Sequence, residues 1–249
     1  LRILRNTLHN DFLRFFDIAV ASTYEQRDLA AQLRHRVYSE ELGLEPRVAS
    51  GRESDQYDAH ALHGLITHRS SGRPAGCVRL ILPGDTTQLA LEEHCLGSVY
   101  VKYLEKLHEH REHACEVSRM AVDPLFRKYE SSGPHRQLTY LKIQCPEEER
   151  RSFSVVWLAV LLSSVALADL AGREHVYAMM DPALPRLLHR AGLHFRQAGE
   201  FMEYHGNRAA FFIVTSDAVA HLRPDLKPLY EALRDELDTP MIGQHRATA

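Results

Sequence analysis

Apolar residues recur at helical spacing in some stretches of the chain and alternate or run together in others. Over residues 24–42, Leu29, Leu33, Val37 and Leu42 return near a 3.6-residue period, which predicts a helix stopped by Gly43. Residues 10–16 predict a shorter helix with apolar Phe12, Leu13 and Phe16. "DIAVAST" (17–23), "HALHGLITHR" (60–69), "CVRLILP" (77–83), "CEVSRMAV" (115–122) and "HVYAMMD" (175–181) read as strands. "SSGRPAG" is a turn, so the second and third of these form an antiparallel pair. Residues 45–55 are polar and turn-rich, hence a loop. Residues 153–170 form an apolar helix ended by Gly172, and 182–191 a short helix closed by Gly192. "FRQAGEFMEYHGNRAAFFIV" predicts a hairpin or strand pair around Gly206, and 226–237 a last helix before a disordered tail. The order predicts an α/β fold with a mixed central sheet flanked by helices. Residues 1–249 are expected to form a single domain, with helical or irregular insertions near 84–112 and 127–151.

Composition narrows the class. The chain has 249 residues, 45% hydrophobic and 25% charged, enough to bury a sizeable core. A net charge of −3 provides no global basic field, so no nucleic-acid partner is expected. The four cysteines, Cys77, Cys95, Cys115 and Cys145, form no C-x-x-C pair, which fits a reduced cytoplasmic chain better than a disulfide framework or a zinc site. Arg2, Arg5 and Asp11 break any apolar run at the start, so no signal peptide is expected. "FSVVWLAVLLSSVALA" (153–168) carries no charge but is short for a membrane span, and a buried core helix is the reading, with monotopic membrane contact as the alternative. Among sixteen histidines, His108, His110 and His113 cluster without an HExxH pattern or a completing acid or cysteine, so no metal is expected.

Charged residues inside apolar strands change the picture. Glu116, Ser118 and Arg119 lie between Cys115, Val117, Met120, Ala121 and Val122. Arg79 interrupts "GCVRLILP", Arg36 stands near the end of the first long helix, and Glu53, Asp55 and Asp58 precede a strand. Such groups are costly to bury unless paired. Three arginines and four acids could neutralise one another across neighbouring elements. The bland alternative is a set of ion pairs that only ties a helix to two strands.

In order, "RVYSEELG" with Arg36, Glu53 with "DQYD", Arg79 in "GCVRL" and "EVSR" from Glu116 to Arg119 resemble the pattern of acyl-homoserine lactone synthases and long-chain N-acyl amino acid synthases. That pattern is Arg-x-x-Val-[Phe/Tyr], an acid, Asp-x-[Phe/Tyr]-Asp, a strand arginine, then Glu-x-Ser-Arg. "LRHRVYSEELGLEP", "LALEEHC" and "EYHGNRAAFFIV" further resemble acyltransferases of the exosortase and PEP-CTERM protein-sorting system. The resemblance implies a GNAT-type N-acyltransferase fold. It implies transfer of a fatty acyl chain from an acyl-carrier-protein thioester to the amine of a small acceptor such as an amino acid. After Pro124 the chain reads "LFRKYESSGPHRQL", where only Gly133 could serve a phosphate-cradling loop, which favours the carrier protein over coenzyme A as donor. The family's tryptophan after the first helix is replaced by "ELGLEP", which argues against lactone synthesis from S-adenosylmethionine. That synthesis and a non-catalytic acyl-binding module remain the alternatives.

Amide synthesis needs a base for the amine, donors for the oxyanion and alignment of both partners. Strand alternation puts Glu116 and Ser118 on one face, as base and as orienting hydroxyl. Arg119 is expected on the other face, paired with an acid such as Asp58. Arg36, Glu53, Asp55, Asp58, Arg79 and Arg119 are expected to shape the acceptor pocket, with Arg79 or Arg36 receiving an acceptor carboxylate. Cys115 lacks a relay that would make it a nucleophile. Small residues of the 153–168 helix could line an acyl tunnel. Arg127, Lys128, Arg136, Arg150 and Arg151 are candidates to receive an acidic carrier protein.

Overall fold

Thr23 opens the first long helix by a reciprocal cap. Its hydroxyl accepts from the Gln26 N–H, and the Gln26 side chain reaches back to the Thr23 N–H. This helix belongs to a computed structural model that describes residues 8–84, 87–127 and 145–239. In chain order the elements are α1 (Leu8–Phe15), β1 (Phe16–Val20), α2 (Tyr24–Arg34), β2 (Ala61–His68), β3 (Pro74–Ile81), α3 (Ala90–His94), α4 (Val101–Glu109) and β4 (Ala114–Val122). There follow α5 (Glu147–Ser152), α6 (Val156–Leu170), β5 (His175–Met180), α7 (Leu184–His189), β6 (Arg196–Gln197), β7 (Met202–Glu203), β8 (Asn207–Val214), α8 (Thr215–His221) and α9 (Lys227–Leu237).

The strands form a mixed sheet in the order β1-β2-β3-β4-β5-β8-β6, with β7 pairing β8. Neighbours are antiparallel except β4 and β5, which are parallel. That parallel pair is short: Ala114, Cys115 and Glu116 meet His175, Val176 and Tyr177, and no pairing follows. Beyond Glu116 the two strands part, which opens a gap in the middle of the sheet.

Helix α6 covers one face of β2, β3 and β4, and α9 packs beside it and against β1. The helix approaches β3 so closely that a Cβ on Gly76 would stand 2.4 Å from Val160 Cγ2. The apolar stretch that α6 closes, Glu147–Leu170, is long and apolar enough to cross a membrane, yet 72% of its most apolar window is buried inside the protein. It is a core helix here, as its pattern suggested. Helix α2, through Ala30 and Leu33, and Val37 just after it cover the opposite face against Leu65, Cys77 and Ala121.

Several expectations shift. The predicted 24–42 helix is α-helical only to Arg34 and continues as a π-helical segment, His35–Glu41. The wider turn takes Leu42 out of the stripe, and it is 51% exposed. Gly43 ends the segment in the left-handed region, at φ 64°. β3 begins at Pro74, inside the predicted turn, and α8 was not foreseen. In the insertion near 127–151, expected to be helical or irregular, α5 is helical; Lys128 and Arg136 lie outside the described residues.

Candidate active site

The site begins at β3, where Arg79 is 1% exposed. Its Nε donates to Ser118 Oγ at 3.0 Å, and its Nη1 donates to Asp55 Oδ1 at 2.5 Å and Asp58 Oδ1 at 2.7 Å. Asp55 and Asp58 are held by their own turn. Asp55 caps a short 3-10 turn at the Tyr57 N–H, and Asp58 reaches back to the Asp55 N–H. From α2, Arg34 donates to Glu53 and, through Nη1 and Nη2, to both oxygens of Asp58 at 2.7 and 3.2 Å. Burial alone would lower the Arg34 pKa; Glu53 and Asp58 more than reverse this, so the guanidinium stays charged. Burial likewise pushes Asp58 up, and Arg34 and Arg79 hold it well below the ordinary carboxylate range.

Arg119 completes the cluster through an irregularity in β4. Arg79 is opposite Ser118 and Cys77 opposite Ala121, so Val78 faces two residues, Arg119 and Met120. Arg119 has φ 51°. This bulge turns its side chain toward the acids, where it meets Glu45 Oε1 at 2.8 Å, Glu53 Oε1 at 3.1 Å and Asp55 Oδ2 at 3.3 Å. The expectation from simple alternation, the far face and a pairing with Asp58, is therefore corrected.

Arg36 is also corrected. It does not join the cluster; it pairs with Asp123 at 3.0–3.1 Å. Arg34 takes the place that the sequence reading assigned to Arg36. The literal spacing Arg-x-x-Val-Tyr, counted back from Val37-Tyr38, falls on Arg34. The pattern held the signal.

Glu116 is 2% exposed and accepts the Leu91 N–H at 2.9 Å. Burial pushes its pKa up to about 7, against the opposing pull of that N–H and of Arg79. Such a carboxyl exchanges protons readily near neutral pH. The thiol of neighbouring Cys115 is fully buried, and burial pushes its pKa up, which does not suit a nucleophile. His63, 3.8 Å from Asp58, is pushed down to about 4 by burial and is neutral.

Glu116, Ser118 and Arg119 stand on the wall of a cavity of about 790 Å³. It passes through the gap between β4 and β5. On the α2 side its wall is polar and aromatic, with Asp55, Tyr57, Arg79, His94, Tyr204, His205 and Arg208. Tyr57 donates to Glu93 at 2.5 Å, and His94 stacks on Tyr204 with ring centroids 5.8 Å apart. On the α6 side the wall is almost entirely apolar: Trp157, Val160, Leu161, Val165, Ala168, Ala178, Met180 and Phe195, with Ser164. Six residues of the 153–168 helix line this wall, and of them only Ser164 and Ala168 are small. Tyr57, His94, Tyr204, His205 and Arg208 were not foreseen as site residues; the last three come from the β7–β8 hairpin, inside the quoted stretch "EYHGNRAAFFIV".

The basic residues suggested for a carrier protein do not gather at the cavity. Arg127 lines it but pairs with Glu41 at 2.6 Å. Arg150 and Arg151 sit on α5, where Arg151 pairs with Glu147 at 2.7 Å. Among the described residues no group of three or more His, Cys, Asp or Glu is placed to hold a metal ion.

Residues 33–132 match the family described as Acetyltransferase (GNAT) domain. The fold is of the GNAT type. Solved structures bear out the fold. TofI, in a ternary complex with an inhibitor and MTA, superposes with a TM-score of 0.58 at 20% identity, over 85% of this chain and 99% of that one. FeeM, an N-acyl amino acid synthase from uncultured soil microbes, gives 0.52 at 13%, over 83% and 94%. BjaI, a CoA-dependent acyl-homoserine lactone synthase solved with SAM and isopentyl-CoA, gives 0.52 at 18%, over 92% and 91%. No curated protein matches this sequence.

Proposed function

We propose that the protein is an N-acyltransferase that moves a fatty acyl chain from an acyl-carrier-protein thioester to the amine of a small acceptor, an amino acid. One observation carries the reading: a buried carboxyl with its pKa near 7, Glu116, faces a cavity that is polar on one side of the sheet and apolar on the other. The polar side suits an amine acceptor, and the apolar side suits an acyl chain.

The steps follow from the positions. The acyl chain lies along α6, with its thioester carbon in the gap past Glu116. Glu116 takes a proton from the acceptor's ammonium group, and the freed amine attacks the thioester carbon. An N–C bond forms, the C–S bond breaks, and the thiolate leaves on the carrier and takes up the proton that the nitrogen loses as it becomes an amide. Main-chain N–H groups on the open side of β4 are suited to receive the oxyanion. Ser118, held by Arg79, orients the acceptor.

The choice of carrier protein over coenzyme A rests on the glycine-poor sequence after Pro124. BjaI is CoA-dependent, so the fold itself does not exclude a coenzyme A donor. The amino-acid acceptor rests on the likeness to FeeM and on the "DQYD" and "EVSR" motifs. A place beside the acyltransferases of the exosortase and PEP-CTERM system rests on the quoted stretches alone. A cytoplasmic location is part of the same reading and rests on the sequence, in which the four cysteines form no C-x-x-C pair.

The test is release of free carrier-protein thiol. Purified protein with acyl-carrier-protein should release thiol only when an amine acceptor is added. Release that requires S-adenosylmethionine and yields a lactone would favour lactone synthesis. Acyl binding without thiol release would favour a binding module.

A further inference from the structure

Four arginines line the cavity, and three are engaged. Arg79 meets Asp55, Asp58 and Ser118; Arg119 meets Glu45, Glu53 and Asp55; Arg127 meets Glu41. Arg208 lines the same wall and, among the described residues, makes no hydrogen bond and no ion pair.

Its place in the sheet gives the free guanidinium a direction. Arg208 is in register with Met202 beside the β7–β8 turn. Ala210 and Phe212, two and four residues further along β8, pack with Tyr177. Tyr177 is the register partner of Glu116. Strand alternation therefore puts Arg208 on the Glu116 side of the sheet, across the gap from β4. The hairpin is tied to the far wall, where His205 Nδ1 lies 3.2 Å from the Leu44 carbonyl oxygen.

The opposite wall has the opposite sign. Arg34, Arg79 and Arg119 bring three positive charges to four carboxylates, Glu45, Glu53, Asp55 and Asp58, so one negative charge is left over as long as His205, 3.8 Å from Glu45, is neutral. A cavity with surplus carboxylate beside the base and an unpaired guanidinium opposite suits a zwitterion. The ammonium group goes toward Glu116 and the acids, and the carboxylate goes toward Arg208, whose planar donors suit a bidentate pair.

We infer that Arg208 binds the acceptor's carboxylate and so selects an α-amino acid over a simple amine. The inference rests on the acyltransfer reading and gives it a named specificity residue, in place of Arg79 and Arg36, each of which already meets a carboxylate.

The experiment compares wild type with Arg208→Gln and Arg208→Lys. The acceptors are an amino acid that the wild type uses, its carboxamide and its decarboxylated amine. Wild type should favour the amino acid. Arg208→Gln should raise the amino-acid KM at least tenfold, change kcat far less, leave the donor KM unchanged and erase the preference over the carboxamide. Arg208→Lys should recover part of the preference. A rise in the donor KM alone would reassign Arg208 to the donor's phosphate and overturn the inference.

A binding measurement needs no turnover. By calorimetry, wild type should bind N-dodecanoyl-alanine at least tenfold tighter than its carboxamide, and Arg208→Gln should bind the two alike. That pattern without turnover would leave the Arg208 assignment standing and remove the acyltransfer reading. Turnover with Arg208→Gln identical to wild type in both assays would do the reverse.

Discussion

Arg34 and Arg79, one from a helix and one from a strand, share a single carboxylate oxygen: each Nη1 lies 2.7 Å from Asp58 Oδ1. The shared atom joins α2 to β3 under the active-site wall. Both arginines are almost fully buried, so the carboxylates are what make their burial tolerable.

Removing one partner should therefore cost much more than removing a peripheral arginine. Arg34→Ala leaves Glu53 buried without its main cation and should lose about 3–5 kcal/mol. Arg36→Ala should lose about 1–2 kcal/mol, because Arg36 is 28% exposed and its partner Asp123 also accepts the Leu125 N–H. Urea unfolding midpoints of the two variants measure the difference; equal losses would mean that the cluster is not the anchor.

This contrast shows what was legible in the chain. The arginines and acids inside apolar segments were recognisable because burial of a charge demands a partner, and Glu116, Ser118, Arg79, Glu53, Asp55 and Asp58 do meet at or beside one cavity. Arg34 is missed because reading the motif as "RVYSEELG" starts it at Arg36, two residues late for the spacing Arg-x-x-Val-Tyr. Arg119 was put on the wrong face because period-2 alternation assumes a regular strand, and the bulge opposite Val78 is not one. Arg208 and Tyr204 reach the site only through the sheet order, which brings β8 beside β5 from a distant part of the chain. No local pattern reports that.

The pKa of Glu116 makes two linked pH predictions. kcat/KM should rise through pH 7 as the carboxyl ionises, and Glu116→Gln should lose that limb together with most of the rate. For stability the sign is opposite. The folded pKa lies above the unfolded value of about 4.3, so the group's contribution is full below that value and is lost as pH rises through 7. Glu116→Gln should gain on wild type by on the order of 3 kcal/mol between pH 4 and pH 8. Parallel unfolding series at both pH values check it; a constant difference would mean that Glu116 titrates normally.

The close seat of α6 on β3 is testable at Gly76. A methyl group there would collide with Val160, whose side chain is buried and β-branched. Gly76→Ala should cost about 1–3 kcal/mol in unfolding free energy. An unchanged midpoint would mean that the helix can move away freely.

The apolar end of the cavity should set chain length. Val165 lines it from α6. Val165→Phe fills part of that space and should shorten the longest acyl donor used, with less effect on the shortest. Competition among carrier-protein thioesters of several lengths reads this out; an unchanged length profile would place the acyl chain elsewhere.

The most direct measurement is mass-spectrometric identification of the product. Wild type and Glu116→Gln would each receive a set of acyl-carrier-protein thioesters, the twenty amino acids and S-adenosylmethionine. The account predicts an N-acyl amino acid from wild type, its mass naming donor and acceptor together, and loss of that product with Glu116→Gln. An acyl chain bound without any new amide, or an amide formed equally well by Glu116→Gln, would contradict it.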